Sequence, residues 1–536
     1  MVRNDVCLCS TQNIIISGLK VNIVKVQNPC KMTAEWCRRK INHLSELNDE
    51  DEKIKILEEL FLKLTSLTSV ELENTACNLD FNRLFLQLTS NTDTYCEEIC
   101  KSLTLLFGAL RPGAIYQRYP LEMYQYLNHR NAAVKILVLK NIEKTLENIE
   151  QVPRLINDIN LLIRVIETIG DENLNVALIA MNMMKKIGRV PDGVKIIYTG
   201  PMLRAFARLI PKNDAVTFRV YEVIVDIAKS SPEGLEASAN SGFLASLLQI
   251  LDSDDVLLQL NTLEALTELA STQEGLNYLE ERSVLKKLAN QIREANENVL
   301  SRVLIPGLMK FFGNVAKSRP DEIFSKYPFV ILALFQVIEE DDAVLLSNAL
   351  DTLGYVSSSI EGKYALESLG DAMPRTIKRI SLIIEKHPTE LRLRALDNLA
   401  LIIHIDKSQQ DNRILSLTKS WFDLLHDESL TFIVNLCKQP FDDIRQSCMQ
   451  VLVEIASQMW GQEYIAAMPG LIEFLLDRSA EAFNNCKQIK YQIVKNLSEA
   501  SSDIFDSATR QQLQLFVQQG PFFVDLQTQV ATESTS

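Results

Sequence analysis

The chain has 536 residues, of which 47% are hydrophobic and 23% are charged, and its formal net charge is -14. This much apolar material can form a large core, which excludes a disordered or fibrous protein. The negative charge repels nucleic-acid phosphates and anionic lipid headgroups, so we expect neither nucleic acid nor a membrane as a partner. No apolar run reaches the roughly 18 residues that a membrane-spanning helix needs. We therefore expect the chain in the cytoplasm or the nucleus.

The first 31 residues differ from the rest of the chain, because their short apolar runs have neither helical spacing nor caps. Met32 then begins the stretch MTAEWCRRKINHLSEL, which has the pattern of a helix start. We predict that residues 1–31 are an extension absent from the working protein and that translation starts at Met32. The remaining chain is predicted to contain N-terminal helical repeats over 32–128, HEAT/armadillo-like repeats over 129–500, and a C-terminal helix with a polar tail over 501–536.

A repeat of about 40 to 46 residues runs through the helical part of the chain. Long apolar helices end on a polar residue followed by an aliphatic one, as at Asp226-Ile227 and Glu268-Leu269. An acidic residue followed by glycine follows a similar period, at Asp192-Gly193, Glu233-Gly234, Glu274-Gly275 and Glu361-Gly362. Since strand-like alternation is almost absent, these periods predict an all-α fold, a HEAT/armadillo-like α-solenoid of stacked helical repeats.

The stretch IPGLMKFFGNVA, from Ile305 to Ala316, contains a proline and two glycines among apolar residues. Its place in the repeat indicates the last helix of a central repeat rather than a functional loop. A proline inside a helix removes a hydrogen bond and clashes with the preceding turn. We therefore predict that this helix starts late or is kinked at Pro306.

Polar residues recur at two positions, four residues apart, near the end of most of these long helices. Positions four apart share one helix face, so stacked repeats carry a polar stripe with an acidic central section. The predicted partner-binding residues come from this section: Arg219, Glu222, Asp226, Glu264, Glu268, Lys310 and Asn314. Asparagine recurs in the stripe at Asn141, Asn314, Asn398 and Asn496, although it is a poor residue for a helix interior. Hydrogen bonding to a bound chain and the solvated side of ordinary amphipathic helices both explain the stripe.

Motifs for catalysis are weak in this chain. The five histidines and the pair Cys96 and Cys100 lack partners at metal-ligand spacing. The stretch GRVPDGVK, from Gly188 to Lys195, has the glycine spacing of a phosphate-binding loop but lacks the Lys followed by Ser or Thr. We therefore expect no enzyme activity, no catalytic residues, no cofactor and no metal.

Four stretches resemble the 26S proteasome non-ATPase regulatory subunit 5 family in order and spacing. They are FRVYEVIVDIA (Phe218 to Ala228), IPGLMKFFGNVA, SSIEGKYALESLG (Ser358 to Gly370) and FVQQGPFFV (Phe516 to Val524). The resemblance implies an assembly chaperone for the base of the proteasome regulatory particle. It implies binding to the C-terminal domain of one base ATPase, regulatory subunit 7, in a complex with regulatory subunit 4 and non-ATPase regulatory subunit 2. Release before the complete particle forms is also implied.

Two other functions stay open at this point. An armadillo-type adaptor would bind an extended basic cargo peptide along the asparagines. Such adaptors usually place a tryptophan near each asparagine, whereas the three tryptophans here, Trp36, Trp421 and Trp460, lie outside the stripe. A negative regulator would instead retain the ATPase subcomplexes and restrain proteasome assembly.

Overall fold

A computed structural model of the chain describes residues 29–89, 92–294, 299–340, 342–479, 481 and 483–523. Within these ranges all regular secondary structure is helical, which confirms the predicted all-α fold. Most of the predicted extension, residues 1–28, lies outside the described residues, and so does the tail over 524–536. The predicted start at Met32 and the predicted boundaries at 128 and 500 stay predictions.

The chain divides into two compact units, Met1–Met183 and Met184–Ser536. The boundary falls within α11. The described helices of the first unit, with α11, are α1 (Pro29–Leu44), α2 (Glu50–Thr65), α3 (Ser69–Cys77), α4 (Asn82–Gln87), α5 (Asp93–Ala109), α6 (Ala114–Arg118), α7 (Pro120–Tyr126), α8 (Ala132–Thr145), α9 (Val152–Asn157), α10 (Ile159–Ile169) and α11 (Leu174–Gly188).

The second unit continues the same series of helices. They are α12 (Pro191–Ile197), α13 (Gly200–Leu209), α14 (Asp214–Ser230), α15 (Pro232–Asn240), α16 (Phe243–Gln249), α17 (Val256–Leu269), α18 (Gln273–Glu281), α19 (Val284–Glu294), α20 (Val299–Ser318), α21 (Pro320–Lys326), α22 (Pro328–Glu339), α23 (Ala343–Ser357), α24 (Ile360–Glu367), α25 (Ala372–Lys386), α26 (Thr389–Ile403), α27 (Asn412–Asp423), α28 (Ser429–Cys437), α29 (Asp442–Ala456), α30 (Met459–Ala467), α31 (Leu471–Leu476), α32 (Asn484–Ser498) and α33 (Ser507–Gln519). Short 3-10 helices follow α16, at Ile250–Asp252, and α26, at Lys407–Gln409.

From α3 to α32 the helices group in threes, and the third helix is the longest of its group except that α25 equals α26 in length. In the second unit the third helices are α14, α17, α20, α23, α26, α29 and α32, and each packs against the next. In the first unit α5 packs against α8 in the same way. No repeat of this kind covers its apolar side alone, so stacking neighbours builds a continuous core within each unit. This arrangement confirms the HEAT/armadillo-like α-solenoid.

The acidic residue followed by glycine has a packing explanation. The glycine is the third residue of the first helix of a repeat, and at three of the four positions its amide donates to the side-chain hydroxyl of the helix cap. These pairs are Gly234 to Ser231 (3.0 Å), Gly275 to Thr272 (3.2 Å) and Gly362 to Ser359 (3.1 Å). A Cβ at any of the three would overlap a backbone carbonyl oxygen near the end of the preceding third helix. Only glycine allows this crossing without a shift of backbone.

The stretch around Pro306 is a helix that packs closely on both sides. Pro306 lies inside α20, which begins seven residues earlier at Val299, so a late start is wrong, while the alternative of a kink at Pro306 stays a prediction. A Cβ at Gly307 would lie 3.1 Å from Leu260 of α17, and one at Gly313 would lie 2.7 Å from Thr352 of α23. The two glycines therefore allow close approach of the neighbouring third helices.

Candidate partner-binding groove

A groove of about 630 Å³ lies between the third helices α14 and α17. Its lining includes four of the predicted residues, Glu222, Asp226, Glu264 and Glu268. Glu222 and Asp226 are one turn apart on α14, and the two glutamates are one turn apart on α17. Helical spacing and repeat stacking thus bring these four side chains together.

The floor of the groove is apolar. Phe218 and Val225 come from α14, while Leu257, Leu258 and Ala265 come from α17. Leu257 is 66% exposed, although the later leucines of its helix, Leu263, Leu266 and Leu269, are buried. An exposed leucine inside a concave surface is a feature of sites that bind another molecule.

The carboxylates of the groove pair with cations from neighbouring helices. The closest N···O distances are 2.6 Å for Lys185–Glu222, 3.2 Å for Arg189–Asp226, 2.6 Å for Lys229–Glu268 and 2.7 Å for Lys310–Glu264. The side chains of Glu222, Glu264 and Glu268 are all more than half exposed. Exposed pairs of this kind contribute little stability and exchange partners readily.

Asp226 has a different environment, since it is only 8% exposed. Both of its carboxylate oxygens accept hydrogen bonds from Arg189 Nη2, at 3.3 and 3.2 Å, and Lys229 Nζ lies 4.0 Å away. A buried carboxylate is tolerated only when cations and donors compensate its lost hydration. Asp226 therefore joins α14 to its surroundings, and the three exposed glutamates are the groups available to a partner.

The negative charge of the groove persists after this pairing. Its lining contains the carboxylates Asp214, Glu222, Asp226, Asp255, Glu264 and Glu268, against two lysines, Lys185 and Lys229. Asp255 caps α17 by accepting from the amides of Leu257 (2.9 Å) and Leu258 (3.1 Å). Sequence reasoning did not place Asp255 in the groove and missed the apolar floor.

The other predicted residues lie beside the groove rather than in its lining. Arg219 is half-buried on α14. Lys310 of α20 reaches the groove only through Glu264, and Asn314 Nδ2 donates to the Lys310 carbonyl oxygen at 2.9 Å. The structure thus groups four of the seven predicted residues and leaves three at its margin.

The recurring asparagines use their amide groups within the fold. Each Nδ2 donates to a backbone carbonyl oxygen, in the pairs Asn141 to Leu137 (2.7 Å), Asn314 to Lys310 (2.9 Å), Asn398 to Arg394 (2.8 Å) and Asn496 to Val453 (3.1 Å). All except Asn314 are buried. Asn398 Nδ2 also donates to Asp351 of the preceding third helix, at 2.8 Å. Asn398 and Asn496 thus tie neighbouring helices together, while Asn141 bonds within its own helix, and at these three buried positions the amide is not presented to a bound chain.

Two further observations bear on the kind of site that the chain can hold. In the described part of the chain, no group of three or more His, Cys, Asp or Glu side chains is placed to hold a metal ion. Among the described helices, none is both long and apolar enough to span a bilayer.

Comparisons with known proteins identify the family. The family model described as "Proteasome non-ATPase 26S subunit" matches residues 33–536. The protein named 26S proteasome non-ATPase regulatory subunit 5 from Bos taurus is 32% identical over 490 residues, which is 90% of this chain and 96% of that one. Its namesakes from Homo sapiens and Drosophila melanogaster are 32% and 28% identical, over 86% and 76% of this chain and 92% and 79% of their own length. The chain therefore belongs to the 26S proteasome non-ATPase regulatory subunit 5 family.

Proposed function

We propose that this chain is a chaperone for assembly of the base of the 26S proteasome regulatory particle. Its client is the C-terminal domain of a base ATPase, regulatory subunit 7, and it leaves before the mature particle forms. Regulatory subunit 4 and non-ATPase regulatory subunit 2 belong to the same complex, in the cytoplasm or the nucleus. Family membership supports the proteasome-related part of this proposal, because the relatives carry the name of a proteasome regulatory subunit.

The groove between α14 and α17 is the observation that supports binding of a folded client. It combines a carboxylate rim with an apolar floor in which Leu257 is exposed. Basic residues around an apolar contact on the client would complement it, and such charge complementarity speeds association and excludes wrong partners. Because the exposed glutamates already pair with lysines of the fold, a client must displace these pairs, which suits a surface that must also release it.

The test compares two triple variants of equal charge change. Glu222, Glu264 and Glu268 are changed to Lys in one variant, and Glu233, Glu236 and Glu274 in the other. The control residues are exposed glutamates on the first helices α15 and α18, away from the groove. Asp226 stays unchanged, because its buried carboxylate holds the fold.

The measurement is the rate of association with the purified C-terminal domain of regulatory subunit 7, at low and high salt. We expect the groove variant to associate about tenfold more slowly or worse, and the control variant to behave as wild type. Equal behaviour of both variants would exclude the acidic groove as the docking surface. No binding by wild type would overturn the client assignment itself.

Two further experiments test the alternative functions, a cargo adaptor and a negative regulator of proteasome assembly. Binding of an extended basic peptide by the wild-type chain would favour the adaptor, although the amides of the buried Asn141, Asn398 and Asn496 already donate within the fold. Raising the level of the chain in cells and counting complete particles separates a chaperone that promotes assembly from a regulator that restrains it.

A further inference from the structure

The first unit contains a second groove, of about 660 Å³, between the third helices α5 and α8. Phe61 of α2 contributes to its lining. The groove between α14 and α17 also lies between two successive third helices. The chain therefore forms the same kind of groove in each unit, with different surface chemistry.

The floor of this second groove is apolar and in part exposed. Phe61, Leu105 and Ile136 are half-buried, while Phe107 and Leu137 are buried beneath them. A half-buried ring and two half-buried aliphatic side chains in one concavity offer an apolar surface that a partner can cover.

The rim of the second groove is basic, opposite to the groove in the second unit. Three lysines, Lys101, Lys140 and Lys144, line it together with one carboxylate, Glu97. Lys144 Nζ donates to the carbonyl oxygens of Gly108 (2.9 Å) and Leu110 (2.8 Å), where α5 ends.

Lys101 Nζ lies 2.5 Å from Glu98 of its own helix, so that lysine is paired. Lys140 is exposed, and its ammonium group has no hydrogen-bond or ion-pair partner in the part of the chain that the structure describes. It is the lysine most available to a partner's carboxylate.

The length of the groove matches a short helix. Its lining on α5 extends from Glu97 to Gly108, and on α8 from Ala133 to Lys144. At about 1.5 Å per residue, either helix lines the groove for about 16 Å, which is three helical turns. A helix of that length presents apolar side chains on one face at i, i+4 and i+7, with acidic residues beside them.

We propose that the groove between α5 and α8 binds an acidic amphipathic helix of a partner protein. The apolar face of that helix covers Phe61, Leu105 and Ile136, and its carboxylates contact Lys140 and Lys101. Charge complementarity selects this occupant over a basic helix, which the lysines repel. The inference goes beyond the proposed function and does not depend on the identity of the client.

Gly108 offers a way to fill the groove without disturbing the fold. It lines the groove, it is exposed, and a Cβ at this position would meet nothing within 4 Å. Gly108→Trp therefore places a large side chain in the groove, while Gly108→Ala is its matched control. Lys140→Glu reverses the rim charge, and Lys55→Glu makes the same change at an exposed lysine of α2 outside the groove.

The experiment measures fluorescence anisotropy of a labelled peptide with the full chain. The probe is an amphipathic helix of about 14 residues, or four turns, with leucines on one face and glutamates on the rest. We expect saturable binding that weakens about tenfold in Lys140→Glu and in Gly108→Trp. Gly108→Ala and Lys55→Glu should bind as wild type does.

Three results would overturn the proposal. The first is equal binding of a peptide in which lysines replace the glutamates. The second is unchanged affinity in both Lys140→Glu and Gly108→Trp. The third is a dimer of the chain, seen by sedimentation velocity, that Gly108→Trp dissociates, because a second copy would then be the occupant.

Discussion

Gly354 of α23 faces Asn398 of α26 so closely that a Cβ on the glycine would overlap Asn398 Oδ1. The amide of Asn398 donates both to Asp351 Oδ1 and to the carbonyl oxygen of Arg394. The bond from Asn398 to Asp351 therefore joins successive third helices, and the absence of a side chain at Gly354 leaves room for Asn398.

Gly354→Ala should lower the free energy of unfolding by about 1 to 3 kcal/mol, since the added methyl group overpacks this contact. In the double variant Gly354→Ala with Asn398→Ala, the loss should be smaller than the sum of the two single losses. Urea unfolding of wild type, the two single variants and the double variant measures these free energies. Gly108→Ala, where the added methyl group meets open space, should instead be neutral or stabilising. Additive losses in the cycle would contradict the contact.

Gly275→Ala should lower the free energy of unfolding by about 2 to 3 kcal/mol, because its Cβ would overlap the backbone oxygen of Leu269. A backbone oxygen cannot turn away as the end of a flexible side chain can. The adjacent exposed residue provides the control, and Glu274→Ala should cost less than about 1 kcal/mol. Thermal unfolding of both variants is the measurement. Equal midpoints would show that α18 can shift to accept a side chain.

Asp226→Ala should destabilise the chain by about 1 to 3 kcal/mol, because it leaves Arg189 and Lys229 without their shared carboxylate. Glu264→Ala removes an exposed pair with Lys310 and should change stability by less than about 1 kcal/mol. Urea unfolding separates the two effects. A larger loss for Glu264→Ala than for Asp226→Ala would mean that the exposed glutamate, not the buried aspartate, supports the fold.

Lys363 should make stability depend on pH. Its Nζ donates to the carbonyl oxygens of Ser357 and Leu401, and burial lowers its pKa from 10.5 to about 7. Between pH 7 and 10.5 the unfolded chain keeps the proton that the folded chain has released. The unfolded state binds more protons there, so the contribution of Lys363 to the free energy of unfolding rises with pH across this window.

The variant Lys363→Met should remove that contribution. We therefore expect the free energy of unfolding of wild type, minus that of the variant, to increase from pH 7 to pH 10. Urea unfolding of both proteins at several pH values measures this difference in the free energy of unfolding. The contributions of the other titrating groups, which the two proteins share, cancel in it. A difference that is constant with pH would show that Lys363 keeps its proton in the folded chain.

Much of the repeat architecture could be predicted from sequence, and its limits are physical. The position of IPGLMKFFGNVA in the repeat was correct, because helical spacing of apolar residues is a local signal. The late start at Pro306 was wrong, because α20 extends through the proline. In that helix Gly307 and Gly313 pack closely against the two neighbouring third helices. Propensity is a weak guide where tertiary packing opposes it.

For the candidate groove, too, the sequence predicted one part of the arrangement and not the other. Positions four apart on α14 and α17 indicated that Glu222, Asp226, Glu264 and Glu268 would form one acidic section. The sequence did not indicate that Asp226 is buried while the three glutamates are exposed. Burial depends on residues about 40 positions away in the chain, such as Arg189, and no local pattern reports them.

The sequence by itself determined the all-α class and the repeat period, because the spacing of apolar residues and glycines is a local signal. It also determined the family, through its similarity to known members. Only the tertiary structure decided which polar side chains face a partner. Stacking of α14 on α17 and of α5 on α8 creates two grooves of opposite charge, and stacking of other third helices brings Asn398 against Asp351 and Asn496 against the backbone of Val453. Each of these outcomes depends on contacts between successive repeats, where distance in space, not distance in sequence, governs which groups interact.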